Sequence, residues 1–486
     1  MTSHADHPTT IDHPTVVIGG GLAGLAAAVS LAQQGVPVTL LETRKRLGGR
    51  ATSFEDPATG DTLDNCQHVL LRACTNLLDF YERLGVADRV EWHRKLYFAY
   101  ADEQGQPAID TLEGDDLPAP MHLTRSLWKF NGLNLREKFA IARGMLSILQ
   151  ISRRSRDLYA DMSFADYLAE QNQPTSVIDK FWKVVIVSAC NETIDHVAAS
   201  YAIQVFQEGF LYRGEAYEMG LPTVPLEDLY DPAEQVITAA GGRVLSGTAA
   251  ESIVFDGEKV AAIRLTDGQE IAGSSFISAV PFDRLARLAP ADMKDADPRL
   301  AVLDDLQVSP IIGIHLYVKP SEGEGPVMTL PHLVLRDSPL HWVFNKGDVK
   351  QGEHAGTQHL HGVISAAHDL VDQSADDILT LAMRECRKLV PGFGDAVLVH
   401  GRVVKEKRAT FSVQPGVDDK RPTTTGAIEN LLLAGDWVDT GWPATMEGAV
   451  RSGYAAAAAA IANAGQEPHE SVEDLEPGLL YQALAG

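Results

Sequence analysis

A glycine-rich turn after the first apolar segment constrains this chain more than any other feature. Apolar residues 15–18 lead into Gly-Gly-Gly-Leu-Ala-Gly at 19–24, and helix-forming residues continue to about Gln34. In a G-x-G-x-x-G turn the first glycine allows a tight bend, the second admits a pyrophosphate, and the third lets helix and strand pack closely. The pattern predicts a dinucleotide site that includes Gly19, Gly21, Leu22, Ala23 and Gly24.

The next predicted strand ends in an acidic residue at the distance that such a turn requires. Residues 38–41 are apolar or β-forming, and Glu42 comes 21 residues after Gly21. A carboxylate there can bind the ribose diol of a dinucleotide and would repel a 2′-phosphate. We therefore predict a βαβ unit, and with it an α/β fold of Rossmann type.

A basic segment that contains glycine follows this strand. Its predicted cofactor contacts are Thr43, Arg44, Gly48, Gly49 and Arg50. The glycines can bring the backbone close to a cofactor, and guanidinium groups bind phosphate oxygens through several planar donors. Without its context, such a segment is more typical of a solvated surface loop.

A third motif lies near the C-terminus, where a predicted strand ends at Gly435 and Asp436. An aspartate in that position can bind the hydroxyls of a ribityl chain. The helix predicted to start near Met446, after Thr445, directs its positive end towards this site and would favour an anionic ring there. An ordinary strand–loop–helix connection is the alternative. Among the short strands of the middle region, Ala250 is a further predicted cofactor contact.

The three motifs, in this order and spacing, resemble those of the amine oxidase and phytoene desaturase superfamily of FAD enzymes. A narrower resemblance is to the hydroxysqualene dehydroxylase family, also called squalene-associated FAD-dependent desaturases. It is carried by the segments 64–71 (Asp-Asn-Cys-Gln-His-Val-Leu-Leu), 75–80, 407–411, 421–422 and 440–445. The similarity extends from about Thr15 to Ala462. Cys66 stands where that family usually has glycine, and Thr445 where amine oxidases place a tyrosine of the substrate cage.

The resemblance implies non-covalently bound FAD and the two-dinucleotide-binding-domain flavoprotein fold, which is α/β with α+β insertions. The expected FAD domain has three parts, at 15–99, 222–290 and 401–466. The expected substrate domain is interleaved with it, in a mostly helical part at 100–221 and a second part at 291–400. The remaining segments are a flexible leader at 1–14 and a C-terminal tail at 467–486.

The resemblance also implies reduction of hydroxysqualene to squalene at the expense of reduced FAD. Hydroxide is a poor leaving group, so an acid must assist its departure. We expect His68 to be that acid and Gln67 to orient the substrate, although His68 also fits a hydrogen-bonded structural role. Trp442 and Arg408 are candidates for the substrate pocket, and Arg408 fits a structural ion pair better. His315 alternates with apolar residues along a predicted strand and is expected to face solvent.

Three other functions remain open. An oxidative desaturase of a carotenoid or squalene-like polyene would use the same cofactor site with hydride flowing the other way. Thr445 disfavours an amine oxidase. The third, a non-catalytic prenyl-lipid carrier, is disfavoured because Glu42, Arg50 and Asp436 are all present.

The charge balance limits the partners. The chain has 41 basic and 66 acidic residues, a net charge of −25, which repels nucleic acid and disfavours docking on anionic lipid through basic residues. We therefore expect any peripheral contact with the inner face of the membrane to be hydrophobic. No second nucleotide motif is present, so an electron donor such as NAD(P)H or a carrier protein would act transiently.

Cysteine usage and apolar runs bear on the compartment. The four cysteines lack a C-x-x-C pair and ligand-like spacing, so neither disulfides nor a metal site is expected. The first fourteen residues lack the apolar core of a signal peptide, and no apolar run approaches the ~20 residues that span a bilayer. These features predict a cytoplasmic location, with peripheral membrane contact at most.

Overall fold

A computed structural model of the chain describes residues 13–323, 325–350, 352, 354–469 and 472–485. The strands, in chain order, are β1 (Thr15–Ile18), β2 (Val38–Glu42), β3 (Ser53–Glu55), β4 (Thr62–Asp64), β5 (Leu70–Leu71), β6 (Val90–His93), β7 (Lys95–Ala101), β8 (Pro107–Glu113), β9 (Met219–Pro222), β10 (Arg243–Ser246), β11 (Ala250–Phe255), β12 (Val260–Leu265), β13 (Glu270–Ala272), β14 (Ser275–Ser278), β15 (Val308–Lys319), β16 (His332–Leu335), β17 (Trp342–Asp348), β18 (Gln358–Ile364), β19 (Val397–Phe411) and β20 (Leu431–Leu433).

The α-helices, in chain order, are α1 (Leu22–Gln33), α2 (Thr75–Leu84), α3 (Thr124–Trp128), α4 (Leu135–Leu149), α5 (Phe164–Glu170), α6 (Thr175–Val177), α7 (Lys183–Cys190), α8 (Ala199–Phe206), α9 (Leu226–Tyr230), α10 (Pro232–Ala239), α11 (Phe282–Leu288), α12 (Ala291–Ala296), α13 (Pro298–Ala301), α14 (Ala375–Leu389), α15 (Met446–Asn463) and α16 (Leu479–Ala485). Short 3₁₀ helices lie at Ala87–Arg89, Arg153–Tyr159, Leu303–Asp305 and Asp418–Lys420, and π-helical turns at Ile178–Trp182 and Gln207–Leu211.

The first of two large sheets is parallel and has five strands in the order β10-β2-β1-β14-β20. Val17 and Leu40 pack with α1 and α15 on one face, whereas Val16 and Leu41 belong to the cluster that includes the β11-β12-β13 meander on the other. Both faces are covered, which is why these strands are apolar without alternation. The α/β fold and its N-terminal βαβ unit are as predicted, with α1 ending one residue before the expected Gln34.

The second large sheet is mixed and has seven strands in the order β19-β15-β18-β17-β16-β7-β8. Ile312, Ile314 and Leu316 of β15 pack in one cluster with α14. The opposite face carries Trp342 and Phe344, which belong to the cluster that includes the helical segment α3–α8. That face and those helices enclose the space described below.

Three strands, β7, β9 and β19, cross the domain boundaries expected from the sequence. β7 begins at Lys95, within the part expected at 15–99, and β19 runs on to Phe411, past the boundary expected at 401. Both belong to the seven-stranded sheet, and β19 pairs with β15 from Val397 to Phe411. The segment 100–221 also contains β8 and part of β9 besides its helices. Sheet membership depends on pairing with distant strands, which a local pattern does not reveal.

The two ends of the chain are described unequally. Of the expected leader at 1–14, all but residues 13 and 14 lie outside the described residues. The expected tail contains α16, whose Tyr481 packs on Tyr212 with ring centroids 4.7 Å apart. Among the helices in the described ranges, none is both long and apolar enough to cross a membrane.

His315 is buried, so the expectation that it faces solvent was wrong. Its Nε2 lies 2.9 Å from the carbonyl oxygen of Asp64, its Nδ1 lies 3.0 Å from Nε2 of His359, and its ring stacks on His361 at 4.0 Å. Residues 64–66 cross this face of the sheet, since a Cβ added to Gly313 would lie 2.7 Å from the oxygen of Asn65. The alternation of apolar and other residues correctly assigned the side chains of β15 to two faces. It could not show that other parts of the chain cover both faces.

These buried histidines make stability depend on pH. Burial lowers the pKa of His315 to about 4 and that of His341 to about 4, and lowers that of His361 well below its ordinary value. The unfolded chain takes up protons near pH 6.5 while the folded chain does not, so stability falls as the pH drops from about 6.5 towards 4. We expect urea titrations at fixed FAD concentration to show a loss of up to about 1.4 kcal/mol per pH unit for each such histidine.

The variant His315→Asn should reduce this slope by one proton, whatever its effect on absolute stability. His196→Asn, at an exposed position, serves as the matched control and should leave the slope unchanged. A free energy of unfolding that stays flat between about pH 6.5 and 5 would contradict the burial of neutral histidines.

Candidate active site

A cleft of about 760 Å³ runs along the carboxyl edge of the parallel sheet, past the ends of β1, β2, β14 and β20. Open α/β sheets bind their ligands at this edge. All the predicted cofactor contacts except Gly24 line the cleft, namely Gly19, Gly21, Leu22, Ala23, Glu42, Thr43, Arg44, Gly48, Gly49, Arg50, Ala250, Gly435, Asp436, Thr445 and Met446. Residues from three distant parts of the chain therefore meet at one site.

Two glycines of the turn have different roles: Gly24 allows close packing, and Gly21 leaves room for a ligand. A Cβ on Gly24 would lie 1.9 Å from the oxygen of Gly19, so Gly24 allows α1 to pack against the turn. At Gly21 the nearest atom to an added Cβ is the Cα of Gly49, 3.8 Å away. α1 begins without a side-chain cap and without an acidic residue in its first turn. Its free N–H groups and positive end therefore suit a pyrophosphate.

Glu42 is held at the edge of the cleft by the backbone. Its Oε2 accepts a hydrogen bond from N–H of Gly20 at 2.7 Å, and its Oε1 accepts one from N–H of Arg44 at 2.7 Å. Such charge-assisted bonds fix the orientation of the carboxylate. The lone pairs that remain can accept hydrogen bonds from a ribose diol.

Arg50 and Asp436 form an ion pair in the wall of the cleft. Gly435, with φ +144°, turns the chain at the end of β20, and a Cβ there would lie 2.4 Å from Nε1 of Trp437. Burial opposes the charge of Arg50, but the Asp436 carboxylate, with Glu406 nearby, raises its pKa. The pair thus places a permanent cation beside a carboxylate where phosphate and ribityl groups would lie.

Several cleft residues belong to no motif found in the sequence. They include Asn191, Thr248, Glu251, Arg284 and Arg287. Arg284 and Arg287 lie one turn apart on α11, which follows β14 directly. The only available signal was that position, because a helix that follows a central parallel strand starts at the ligand edge of the sheet.

The N-terminus of α15 closes one end of the cleft. The Thr445 hydroxyl accepts a hydrogen bond from N–H of Gly448 at 3.1 Å. The N–H groups of Met446 and Glu447 belong to the first helical turn and have no carbonyl partner within the helix. This end of α15 therefore favours negative charge on a ring bound against it.

A second cavity of about 280 Å³ adjoins the cleft and is almost wholly apolar. Its walls include Leu70, Leu71, Leu96, Phe98, Val184, Val185, Val205, Phe210, Val334, Trp342, Phe344 and Val363. Trp442 lines it, as expected, but Arg408 does not. Arg408 is about half exposed and pairs with Asp283 at 3.3 Å, because the end of β19 that carries it lies beside α11. The substrate-pocket interpretation of Arg408 is corrected to the ion pair.

Eight residues line both spaces and mark where a ring in the cleft would face a molecule in the cavity. They are Cys66, Gln67, Val69, Ser188, Ala189, Ile311, Thr445 and Met446. We call this set the junction. Its polar side chains are those of Gln67, Ser188 and Thr445, apart from the Cys66 thiol, whose pKa burial raises to about 12. Among the described residues, no group of three or more His, Cys, Asp or Glu is placed to hold a metal ion.

Gln67 and His68 are adjacent in sequence, but only Gln67 lines the apolar cavity as well as the cleft. Gln67 lies at the junction, and its Oε1 accepts a hydrogen bond from Nζ of Lys346 at 3.2 Å. His68 lines the cleft but not the apolar cavity, and its Nδ1 lies 3.0 Å from the oxygen of Cys66. Burial lowers the pKa of His68, which favours the neutral ring near pH 7. The role of proton donor for His68 stays a prediction.

Comparison with known proteins agrees with a flavin site. The family model described as "Flavin containing amine oxidoreductase" matches residues 22–461. The chain belongs to this family. It is an FAD-dependent oxidoreductase, and the glycine turn, the uncapped start of α1 and the start of α15 fit that cofactor.

Similar proteins match nearly the whole chain. A 15-cis-phytoene desaturase from Synechococcus elongatus is 29% identical over 462 residues, which cover 92% of this chain and 95% of the relative. A hydroxysqualene dehydroxylase from Zymomonas mobilis is 28% identical over 458 residues, with 92% and 99% covered.

Solved structures of other proteins share the fold. An oxidoreductase from Methanosarcina mazei has a TM-score of 0.68 at 20% identity, with 91% of this chain and 99% of that chain covered. Cyclohexylamine oxidase from Brevibacterium oxydans has a TM-score of 0.66 at 16% identity, with 93% and 99% covered. At these identities the likeness concerns the fold alone.

Gly21 offers a test of the cleft that spares the fold. Its φ is −78° and an added Cβ meets nothing within 3.8 Å, but the methyl group would occupy the path of a pyrophosphate. We expect Gly21→Ala to leave the thermal midpoint of the apoprotein unchanged and to weaken FAD binding at least about tenfold, or ~1.4 kcal/mol. Titration of the apoprotein with FAD, followed by flavin fluorescence, measures the change.

Gly24→Ala is the matched comparison within the same turn. Because its Cβ would overlap the oxygen of Gly19, this variant should lower the thermal midpoint of the apoprotein itself. If Gly21→Ala binds FAD as tightly as the unmodified protein, the pyrophosphate does not lie against this turn.

Proposed function

We propose that this flavoprotein acts on a long isoprenoid hydrocarbon, and that its reaction is the reduction of hydroxysqualene to squalene. The observation that carries the proposal is the apolar cavity that meets the cofactor cleft at the start of α15. A hydrocarbon chain gains about 25 cal/mol for each Å² of apolar surface that it removes from water in such a cavity. The walls of leucine, valine and aromatic side chains suit an isoprenoid better than a charged amine.

The polar side chains at the junction favour an alcohol over a pure hydrocarbon. The Ser188 hydroxyl donates to the oxygen of Val184 at 2.8 Å and accepts from Nε1 of Trp342 at 2.7 Å, which leaves one lone pair for a ligand. A buried alcohol without a hydrogen-bond partner would cost about 1–3 kcal/mol. A polyene has no such requirement, so the free lone pair of Ser188 and the nearby amide of Gln67 favour a substrate that carries a hydroxyl.

In the proposed reaction the carbon–oxygen bond breaks, the oxygen leaves as water after gaining one proton, and the carbon gains a hydride. Bound FAD in its reduced form supplies the hydride and ends oxidised. Gln67 and Ser188 hold the hydroxyl, and His68 supplies the proton from the cleft side of the junction. The apolar walls exclude water that would capture an allylic cation.

Oxidative desaturation is the second candidate. Relatives named 15-cis-phytoene desaturase match this chain at 27–29% identity, as closely as the hydroxysqualene dehydroxylase does. The same cleft and cavity would serve, with hydride moving from the substrate to the cofactor. The proposal of dehydroxylation rests on the polar junction and on the segments at 64–71 and 440–445.

The electron donor belongs to the same proposal. FAD accounts for the cleft at the ligand edge of the parallel sheet, and the sequence has no second nucleotide motif. We therefore expect NAD(P)H or a reduced carrier protein to act by transient contact, as the sequence indicates.

Anaerobic mixing tests the direction of hydride flow. We expect the reduced holoenzyme, mixed with hydroxysqualene in detergent, to regain the absorbance of oxidised flavin and to form one squalene per flavin, because the C–O bond accepts the hydride. Rapid-scan absorbance follows the flavin, and chromatography of the extract measures squalene. Oxidised holoenzyme bleached by phytoene or squalene would instead establish a desaturase, and hydrogen peroxide formed with amines would establish an amine oxidase.

A substitution of His68 tests the proton donor separately. If His68 supplies the proton, His68→Gln should slow flavin reoxidation by hydroxysqualene by about 10²-fold, as is usual for loss of a general acid, and flatten its pH profile. Binding of FAD, judged by its visible spectrum, should be unchanged. Ser188→Ala is the comparison, since it should weaken binding of the alcohol without altering the pH profile. An unaltered rate in His68→Gln would leave His68 with the structural role.

A further inference from the structure

Most of the large exposed apolar side chains among the described residues belong to the segment 121–158 and to α16, and α16 contacts α4. Ten large hydrophobic side chains are exposed among the described residues, and eight of them lie within residues 121–158 or on α16. On α4, Leu135, Phe139 and Leu146 are exposed by 65%, 63% and 58%. They are spaced i, i+4 and i+11 and so share one face of the helix. A surface helix normally turns its apolar face to the core, so an apolar stripe on the solvent side calls for a partner.

The same surface carries the reverse of the protein's overall charge. Residues 121–160 contain eight Lys and Arg against two Asp and Glu, a net charge of +6 in a chain whose total is −25. The exposed members are Arg125, Lys129, Arg136, Arg143, Arg153 and Arg154. The rest of the chain therefore has a net charge of −31, so residues 121–160 form a basic segment in an acidic protein.

The basic and apolar side chains are interleaved. Arg136 and Arg143 lie on the same side of the apolar stripe of α4, each about 80–100° from Leu135 around the helix axis. The Trp128 ring meets the Phe139 ring edge-on at 5.2 Å. Nη2 of Arg143 donates only to backbone oxygens, and within the described part of the chain Lys129 and Arg136 have no carboxylate partner. These cations are therefore available to an external anion.

This surface is joined to the wall of the apolar cavity through the π-helical turn at Gln207–Leu211. Nε2 of Gln207 donates to the oxygens of Ile148 and Ile151, at the end of α4, at 2.8 and 2.6 Å. Glu208 and Phe210 of the same turn line the cavity. The apolar stripe thus lies one helix away from the space proposed for the substrate.

We propose that α3, α4, residues 150–160 and α16 dock this protein on a bilayer that contains anionic lipid. The stripe of Leu135, Phe139 and Leu146 inserts among the acyl chains, and the flanking Arg and Lys bind the headgroup phosphates. Arg125 pairs with Asp115, and Arg153 pairs with Glu208 and Asp474, so the exposed cations without a carboxylate partner among the described residues are Lys129, Arg136, Arg143 and Arg154. Charges farther than about 10 Å are screened at ordinary ionic strength, so these four cations attract nearby headgroups with little opposition from the distant acidic surface. The docking itself is independent of the reaction, and only its use for delivering an insoluble substrate rests on the proposed function.

Vesicle co-sedimentation of the holoenzyme, without substrate, tests the proposal. Vesicles of phosphatidylcholine with phosphatidylglycerol should bind the protein, vesicles of phosphatidylcholine alone should bind it weakly, and added salt should release it. Phe139→Glu with Leu146→Glu should abolish binding. Arg136→Gln with Arg143→Gln should weaken it about 25-fold, at about fivefold for each charge.

Val397→Glu with Val399→Glu is the matched control, because these exposed residues lie on β19, at the edge of the seven-stranded sheet. This control should bind anionic vesicles as the unmodified protein does. Equal binding to both kinds of vesicle, binding that survives the α4 substitutions, or a surface that only joins two copies in gel filtration would each overturn the assignment. Because no substrate is present, failure of the hydroxysqualene reaction leaves this result untouched, and failure to bind vesicles leaves the reaction untouched.

Discussion

The close approach of α1 and α15 sets the geometry on which the site depends. A Cβ on Gly453 would lie 2.2 Å from the oxygen of Ala23, so only glycine permits this contact between the two helices. Ala26, Ala456 and Ala457 pack in the same cluster. Both helices begin at the cleft, one at the glycine turn and the other at the junction. Their packing therefore fixes the separation between the end that suits a pyrophosphate and the end that suits an anionic ring.

A buried carboxylate connects this helix pair to the apolar cavity. Glu447, in the first turn of α15, accepts hydrogen bonds from N–H of Asn76 and Leu77 and pairs with Arg451 at 2.7 Å. It thereby caps the start of α2 while its own side chain lines the cavity. Removal of one partner from a buried pair of this kind typically costs about 3–5 kcal/mol. The wall that faces the substrate is thus anchored to the helix that faces the flavin, and neither can shift alone.

The cofactor cleft could be predicted from the sequence because its contacts come in contiguous motifs. Glu42 ends β2 and Asp436 follows β20, both at the ligand edge of the parallel sheet, and a local sequence pattern predicts such positions. The junction could not be predicted in the same way. Ser188 and Ile311 come from the helical insertion and from a strand of the second sheet, and only the tertiary fold brings them beside Gln67. The prediction that His315 faces solvent failed for the same reason, since residues 64–66, distant in sequence, cover it.

Net charge was the least informative of the sequence features, because it averages over surfaces that do not act together. A total of −25 predicts that nucleic acid is not a partner, since an extended phosphate backbone meets the charges of a wide surface. It bears less on contact with anionic lipid, because a docked protein presents one face and charges beyond the screening length act on the lipid only weakly. The segment 121–160 reverses the sign within forty residues and exposes its apolar side chains beside its cations. Under the proposed docking, the charge that matters is that of the surface which faces the lipid.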